Sequence, residues 1–277
     1  MEPRQLIRLA FQVSVACTVF GFGLQATTED LLYLVRRPGL LVRSLLAVFV
    51  VMPVVAVGLG LMFDLQPTAR ITLVALAISP IPPRLPKMQR KAGGHAGYGL
   101  GLMAIAAALS IVAIPGALEL LNVIFERSFA MAPAAIAVVV LKFVFGPFAA
   151  GLAFRALAPA VAERIEGPVL SVSQILLVLA LLVLLAASLP VIRAAVGGGT
   201  VAAMVLFSLA GLAVGHVLGG PDPDHSVVLA LSTSFRNPAI AFIVASANFP
   251  NERFGGTILL YVLVTLVAGI SYLLWRR

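Results

Sequence analysis

Long apolar runs, separated by short clusters of charge, proline and glycine, recur from one end of the chain to the other. A transmembrane helix needs about 20 consecutive apolar residues. Nine stretches approach that length: 5–26, 38–63, 68–90, 95–123, 130–155, 167–190, 199–219, 224–248 and 255–275. They are rich in Leu, Ala and Val, and they lack the alternation of polarity over segments of about ten residues that marks membrane barrels. The pattern predicts an all-α polytopic membrane protein of about nine transmembrane helices. Between the first two runs, Thr27-Thr28-Glu29-Asp30 followed by Leu31, Leu32 and Leu34 predicts a capped interfacial helix that ends at Arg36-Arg37-Pro38.

Two runs are interrupted. The third meets Ser79-Pro80-Ile81-Pro82-Pro83-Arg84-Leu85-Pro86, whose four prolines cannot continue a helix. The eighth meets Ser232-Thr233-Ser234-Phe235-Arg236-Asn237-Pro238 and then resumes, with Pro238 suited to the first turn of a new half-helix. Unwound backbone at membrane depth is tolerated only inside protein or beside a water-filled cavity, and paired interruptions in two halves of a chain point to a transport site. The halves correspond here: Gln66-Pro67 precedes the first interrupted run, Pro221-Asp222-Pro223 precedes the second, and one complete run follows each. The single membrane domain 1–277 thus divides into a first repeat 5–123, a connecting span 124–160 and a second, inverted repeat 161–277. The competing reading is that the prolines merely kink closely packed helices.

Composition excludes a soluble protein. Hydrophobic residues make up 61 % of the chain and charged residues 11 %, against roughly 45–50 % and 25 % in soluble domains. Mean hydropathy is +1.09. The net charge of +8 serves topology and anionic headgroups rather than nucleic acid. On the N-terminal side of the nine runs lie six Lys and Arg residues, and on the other side ten, which predicts an external N-terminus and a cytoplasmic C-terminus in the cell (inner) membrane. The first run carries Arg8 and Gln12 with no small-residue cleavage pattern after it, so it reads as a membrane helix and not a signal peptide. The single cysteine, Cys17, excludes an internal disulfide and a cysteine-based metal cluster. His95, His216 and His225 are scattered near run ends, and neither metal-ligand spacing, a Ser-His-Asp arrangement nor a phosphate loop is present. No enzyme, cofactor or resident metal is therefore expected.

Specific segments carry a resemblance. Gly21-Phe22-Gly23-Leu24-Gln25-Ala26-Thr27-Thr28-Glu29-Asp30, the Arg36-Arg37-Pro38 that follows, and Phe49-Val50-Val51-Met52-Pro53 resemble the opening helices of the bile acid:sodium symporter family. Asn237 with Ala239 and Ala241, followed by Pro250 and the Tyr261 run, resembles its last two helices. The resemblance implies two inverted repeats, a panel of helices moving against a core, and two broken helices crossing near mid-membrane. It also implies organic-anion substrates coupled to sodium, and it accommodates nine-span members that lack the usual first helix. The chain departs from the family where sodium binds. The family's glutamate and glutamine before the asparagine correspond to Ser232 and Arg236, its Pro-Gly-Gly-Thr and following Ser-Asn retain only Pro80, and its glutamine before Phe-Val-x-Met-Pro falls at Ala47 or Val48.

None of the eleven acids falls near the centre of a run, whereas Arg84, Lys142 and Arg236 do lie within runs. Intramembrane ionisable residues are functional candidates by default. Arg236 in the second break can act as a fixed surrogate cation or as a bidentate clamp for a carboxylate, sulfonate or phosphate, helped by the positive end of the half-helix at Pro238. A purely structural alternative has the carbonyls of Ser79–Pro83 hold it and glue the crossing. The expected substrate site comprises Ser79, Pro80, Ser232, Thr233, Ser234, Arg236, Asn237 and Pro238, with Arg84 and Lys142 as further candidates. The function expected is a secondary transporter of a small, anionic organic solute, working by alternating access in the bilayer. Three rivals stand beside it: a sodium symporter using carbonyl and hydroxyl ligands, a transport-inactive sensor or scaffold, and a channel, which lacks the charged ring or filter-like repeat a selective pore needs.

Overall fold

A computed structural model of the chain describes residues 3–125, 138, 141–195, 197–249 and 251–276. Helix accounts for 84 % of it, and no strand occurs among the described residues. The helices are α1 Pro3–Gln25, α2 Thr28–Val35, α3 Pro38–Leu46, α4 Met52–Met62, α5 Pro67–Ile78, α6 Leu85–Lys91, α7 Ala96–Phe125, α8 Gly146–Leu157, α9 Pro159–Ala195, α10 Thr200–Leu218, α11 Pro223–Ser234, α12 Pro238–Asn248 and α13 Gly255–Trp275. Single π-helical turns, Ala47–Val51 and Leu141–Phe145, precede α4 and α8. Five spans among the described residues are long and apolar enough to cross a membrane: Pro38–Met62, Ala96–Glu119, Thr200–Leu218, Pro223–Asn248 and Gly255–Trp275. The expected run 130–155 lies partly outside the described residues.

Local chemistry explains the punctuation. Thr27 Oγ1 accepts from the Asp30 N–H at 3.2 Å while Asp30 Oδ2 accepts from the Thr27 N–H at 2.9 Å, a reciprocal capping box that starts α2. Prolines occupy the first turns of α3, α5, α6, α11 and α12, where a missing N–H is no loss. Both expected interruptions are present but shorter than the sequence suggests. The first unwinds at Ser79 and helix resumes at Leu85, because Pro86 fits the first turn of α6. The second spares Ser232, Thr233 and Ser234, which complete α11, and only Phe235–Asn237 is extended. Thr233 is accommodated within α11, its hydroxyl satisfied by the Leu229 carbonyl of its own helix at 2.8 Å.

Small residues set the closest helix contacts, as in membrane bundles generally. Gly211, Gly215 and Gly219 form a groove along α10 that receives α11: a Cβ at Gly211 would lie 2.7 Å from Ser234 Cα, one at Gly215 2.5 Å from Ala230 Cα, and one at Gly219 2.5 Å from Ser226 Cα. Gly23 of α1 and Gly151 of α8 meet in the same way, and a Cβ on Gly23 would stand 2.9 Å from Gly151 Cα. Ser14 Oγ donates to the Ser173 carbonyl at 2.6 Å and Thr18 Oγ1 to Ser173 Oγ at 3.0 Å, tying α1 to α9. Arg155 Nη1 closes the end of this group by donating to the Leu24 carbonyl at 2.6 Å.

The remaining helices bury two apolar clusters. One joins α5 and α12 through Leu73, Leu76, Ile240 and Val244 and includes Phe207 and Tyr261. The other joins α6 and α11 through Leu85, Val228 and Leu231 and includes Leu34 and Tyr98. The first half of one broken helix therefore shares a core with the second half of the other, which places both interruptions between the two clusters. Helix ends sort onto two faces accordingly. Arg276 Nη2 donates to the Pro223 carbonyl at 2.9 Å, and α2 meets the start of α11 on the same face. At the opposite face a Cβ on Gly198, which has φ +50°, would lie 2.9 Å from the Asp64 carbonyl oxygen, and Phe249 meets Phe254 edge-on.

Candidate functional site

The two interruptions touch. The Asn237 N–H donates to the Pro80 carbonyl at 2.9 Å, joining the unwound strands directly. Asn237 Oδ1 accepts from the Ala239 and Ile240 N–H groups at 3.1 and 3.3 Å and so caps α12, with Pro238 at its first turn. Beside this crossing Arg236 is 1 % exposed. Its backbone N–H donates to the Tyr261 hydroxyl at 2.8 Å, and that hydroxyl donates to the Ser234 carbonyl at 2.6 Å, so Tyr261 stabilises the point where α11 ends.

The guanidinium is held by backbone oxygens. Nε donates to the Leu76 carbonyl at 3.2 Å, while Nη2 donates to the Val48 carbonyl at 3.2 Å and, at short range, to that of Ala77. Leu76 and Ala77 lie in the last turn of α5, where carbonyls lack intrahelical donors and the helix dipole presents its negative end. The Val48 carbonyl is free for a related reason. Met52 N–H bonds Ala47 in the π-turn, so the next donor in register would be residue 53, and Pro53 has none. Three carbonyls from two elements thus surround the cation, no carboxylate pairs with it among the described residues, and Nη1 is buried without a partner. The sequence-based structural alternative placed the acceptors in Ser79–Pro83; they lie instead just before that segment and in the π-turn, because the unwound stretch is proline-rich and its Pro80 carbonyl is engaged by Asn237.

The hydroxyls expected at the site do not converge. Ser79 Oγ bonds back to the Leu76 carbonyl at 2.7 Å. Ser232 Oγ accepts from Gln89 Nε2 at 2.8 Å, which ties α11 to α6. Thr233 Oγ1 bonds the Gly211 carbonyl and Ser234 Oγ that of Ser208 at 3.0 Å, both on α10. Arg84 is half-buried at the start of α6. Lys142 is exposed in the second π-turn, its ammonium 5.5 Å from the Phe143 ring centre, and does not join the crossing. Sequence reasoning missed three participants. Tyr261 is a polar group within an apolar run, Pro53 signals the freed Val48 carbonyl, and Gln89 lies among the basic residues Arg84, Lys87, Arg90 and Lys91.

The sodium bile acid symporter family matches residues 13–194, about two thirds of the chain. The chain belongs to that family. As a member of the sodium bile acid symporter family it is an integral membrane protein of transmembrane transport, and the family's members are symporters rather than enzymes. The matched residues include the first interruption and the π-turn at Val48; the second interruption, with Arg236, follows them. No curated protein matches the chain.

Proposed function

We propose that this family member is a secondary transporter of a small organic anion, working by alternating access at the crossing of its broken helices, with Arg236 as a built-in cation in place of a bound sodium ion. The observation that carries this reading is the carbonyl coordination of a buried guanidinium by Leu76, Ala77 and Val48. Sodium is a hard cation that takes oxygen ligands, and helix C-terminal carbonyls of discontinuous spans are a recurrent source of them. Arg236 occupies such a cage covalently, so its charge cannot be carried across the membrane or dissociate. Its unpartnered Nη1 provides donors for one oxygen of an anionic solute once the crossing opens.

The architecture that serves this cycle has nine spans in two inverted repeats, 5–123 and 161–277, with α1, α8 and α9 as the moving panel and the other helices as the core. The panel assignment rests on the mutual packing of those three helices. The lysine and arginine balance supports a cytoplasmic C-terminus, which puts the Arg276 face inside the cell.

The test uses purified protein in which sodium is replaced by choline. Thermal unfolding is measured against a panel of carboxylates and sulfonates, and the solutes that stabilise are then followed as uptake into proteoliposomes. A ligand of the folded state raises its stability by mass action. Solute binding and uptake that are equal in sodium and choline are expected; a strong sodium requirement for either would overturn the surrogate role.

A further inference from the structure

Away from the crossing, three separate elements meet in a cluster of titratable side chains on the Arg276 face. The Tyr33 hydroxyl of α2 lies 2.7 Å from Nε2 of His225 at the start of α11, and Nδ1 of His225 lies 3.1 Å from Asp222 Oδ2. His95, just before α7, stacks on the Tyr33 ring with centres 3.8 Å apart, and the Arg37 guanidinium sits 3.8 Å from the same ring. Tyr98 of α7 meets the His225 ring edge-on at 5.4 Å, and its hydroxyl pairs with Ser44 at 2.7 Å.

One hydrogen bond fixes the protonation state of His95. His95 stands at the N-cap of α7, where its carbonyl accepts the Gly99 N–H at 3.1 Å and its Nδ1 accepts the Tyr98 N–H at 3.3 Å. Nδ1 can accept only as a lone pair, so this bond requires the neutral ring with its proton on Nε2. His225 is placed differently: Nδ1 faces the Asp222 carboxylate and donates to it, while Nε2 shares a hydrogen bond with the Tyr33 hydroxyl, a partner able to donate or to accept. Burial pushes the Tyr33 phenol up from its usual value near 10, so the hydroxyl stays protonated throughout the range in which histidine titrates.

We propose that His95 is a proton-operated latch: neutral, it holds α2 against the starts of α7 and α11, and its protonation releases α2. A protonated ring loses the cap bond, places positive charge at the positive end of the α7 dipole, and sets a second cation across the Tyr33 ring from Arg37. The charged and titratable groups acting on His95 are Arg37 and Asp30 on α2, and Asp224 and His225 at the start of α11. Burial dominates that balance and holds the His95 pKa below its usual value of about 6.5. The sign follows: the latch favours the neutral form, so its contribution is complete above that usual value and is lost as pH falls toward the depressed one. Because α2 connects α1 to α3, release loosens a junction between panel and core. That transport consequence rests on the proposed alternating-access cycle, whereas the latch and its test do not.

The test is hydrogen exchange of the full-length protein in detergent between about pH 5 and pH 8, the range in which histidine titrates, with exposure times scaled for intrinsic exchange. Peptides covering 28–36 are expected to lose protection below the transition, by up to about tenfold per pH unit for a single proton. His95→Asn keeps a neutral acceptor and abolishes the transition, while His225→Asn lowers protection at every pH and retains it. Unchanged wild-type protection over the range, or a surviving transition in His95→Asn, would overturn the proposal. Should His95→Asn be unprotected even at the upper pH, nitrogen-labelled imidazole spectra of the chain's three histidines decide the matter. A His95 midpoint that coincides with α2 release supports the latch, and a separate midpoint refutes it.

Discussion

Replacing Arg236 with methionine removes the cation and leaves the cage. In the wild-type protein the guanidinium satisfies the carbonyls of Leu76, Ala77 and Val48. Leu76 keeps the Ser79 N–H at 3.0 Å and the Ser79 hydroxyl at 2.7 Å, so it is not orphaned. The Ala77 and Val48 carbonyls lose this donor in a region where Ala77 and Val48 are fully buried. Each buried unsatisfied group costs about 1–3 kcal/mol, which sums to roughly 2–6 kcal/mol for the pair, offset in part because a guanidinium with an unpartnered Nη1 no longer has to be buried. Methionine is apolar and of adequate length to fill the volume, so the loss belongs to hydrogen bonding and not to a cavity. A small hard cation has the chemistry to refill such a cage. Arg236→Met is therefore expected to unfold at lower temperature than wild type in choline, and to recover part of the difference in sodium, with no comparable sodium effect on the wild type. Arg236→Lys, whose ammonium has three donors but a shorter reach, falls between. The assay is thermal unfolding of detergent-purified protein across a sodium series at constant ionic strength. A variant whose unfolding temperature does not respond to sodium would show that the carbonyls need no cation and would overturn the built-in one.

Other consequences are independent of sodium. Tyr261→Phe deprives the Arg236 N–H and the Ser234 carbonyl of their partner and should destabilise by about 2 kcal/mol or more, read by the same unfolding assay. Pro53→Ala restores a backbone donor in register with the Val48 carbonyl; combined with Arg236→Met in a double-mutant cycle it should reduce the cost of losing the guanidinium, and strict additivity of the two changes would refute the proposed origin of that free carbonyl. Gly215→Leu drives a side chain into Ala230 and Thr233 of α11 and should abolish the yield of monodisperse protein, while Gly58→Leu, which has open space around it, should be tolerated.

Much of the architecture was legible because it depends on local chemistry and on the solvent. Apolar runs without enough charge to face water announce membrane helices, the proline cluster from Pro80 to Pro86 forces an interruption wherever it is placed, and Thr27 with Asp30 writes a helix start in four residues. The shorter second interruption was not legible, since Thr233 and Ser234 are satisfied within α11 by bonds to the Gly211 and Ser208 carbonyls of α10 that no local pattern displays. The three hydroxyl residues of that segment looked like one site. Consecutive helical positions point about 100° apart, so Ser232 reaches α6 while Thr233 and Ser234 reach α10.

The sequence by itself determined that this is a helical membrane protein with two breaks and an arginine in the second, because hydropathy and proline act through the nearest residues. Only the tertiary structure decided what holds that arginine. Its acceptors lie 160 and 188 residues away in the chain, and carbonyls have no residue-type signature. They are set free by where a helix ends and where a proline fails to donate, and they become a site only when the two broken helices are packed against each other.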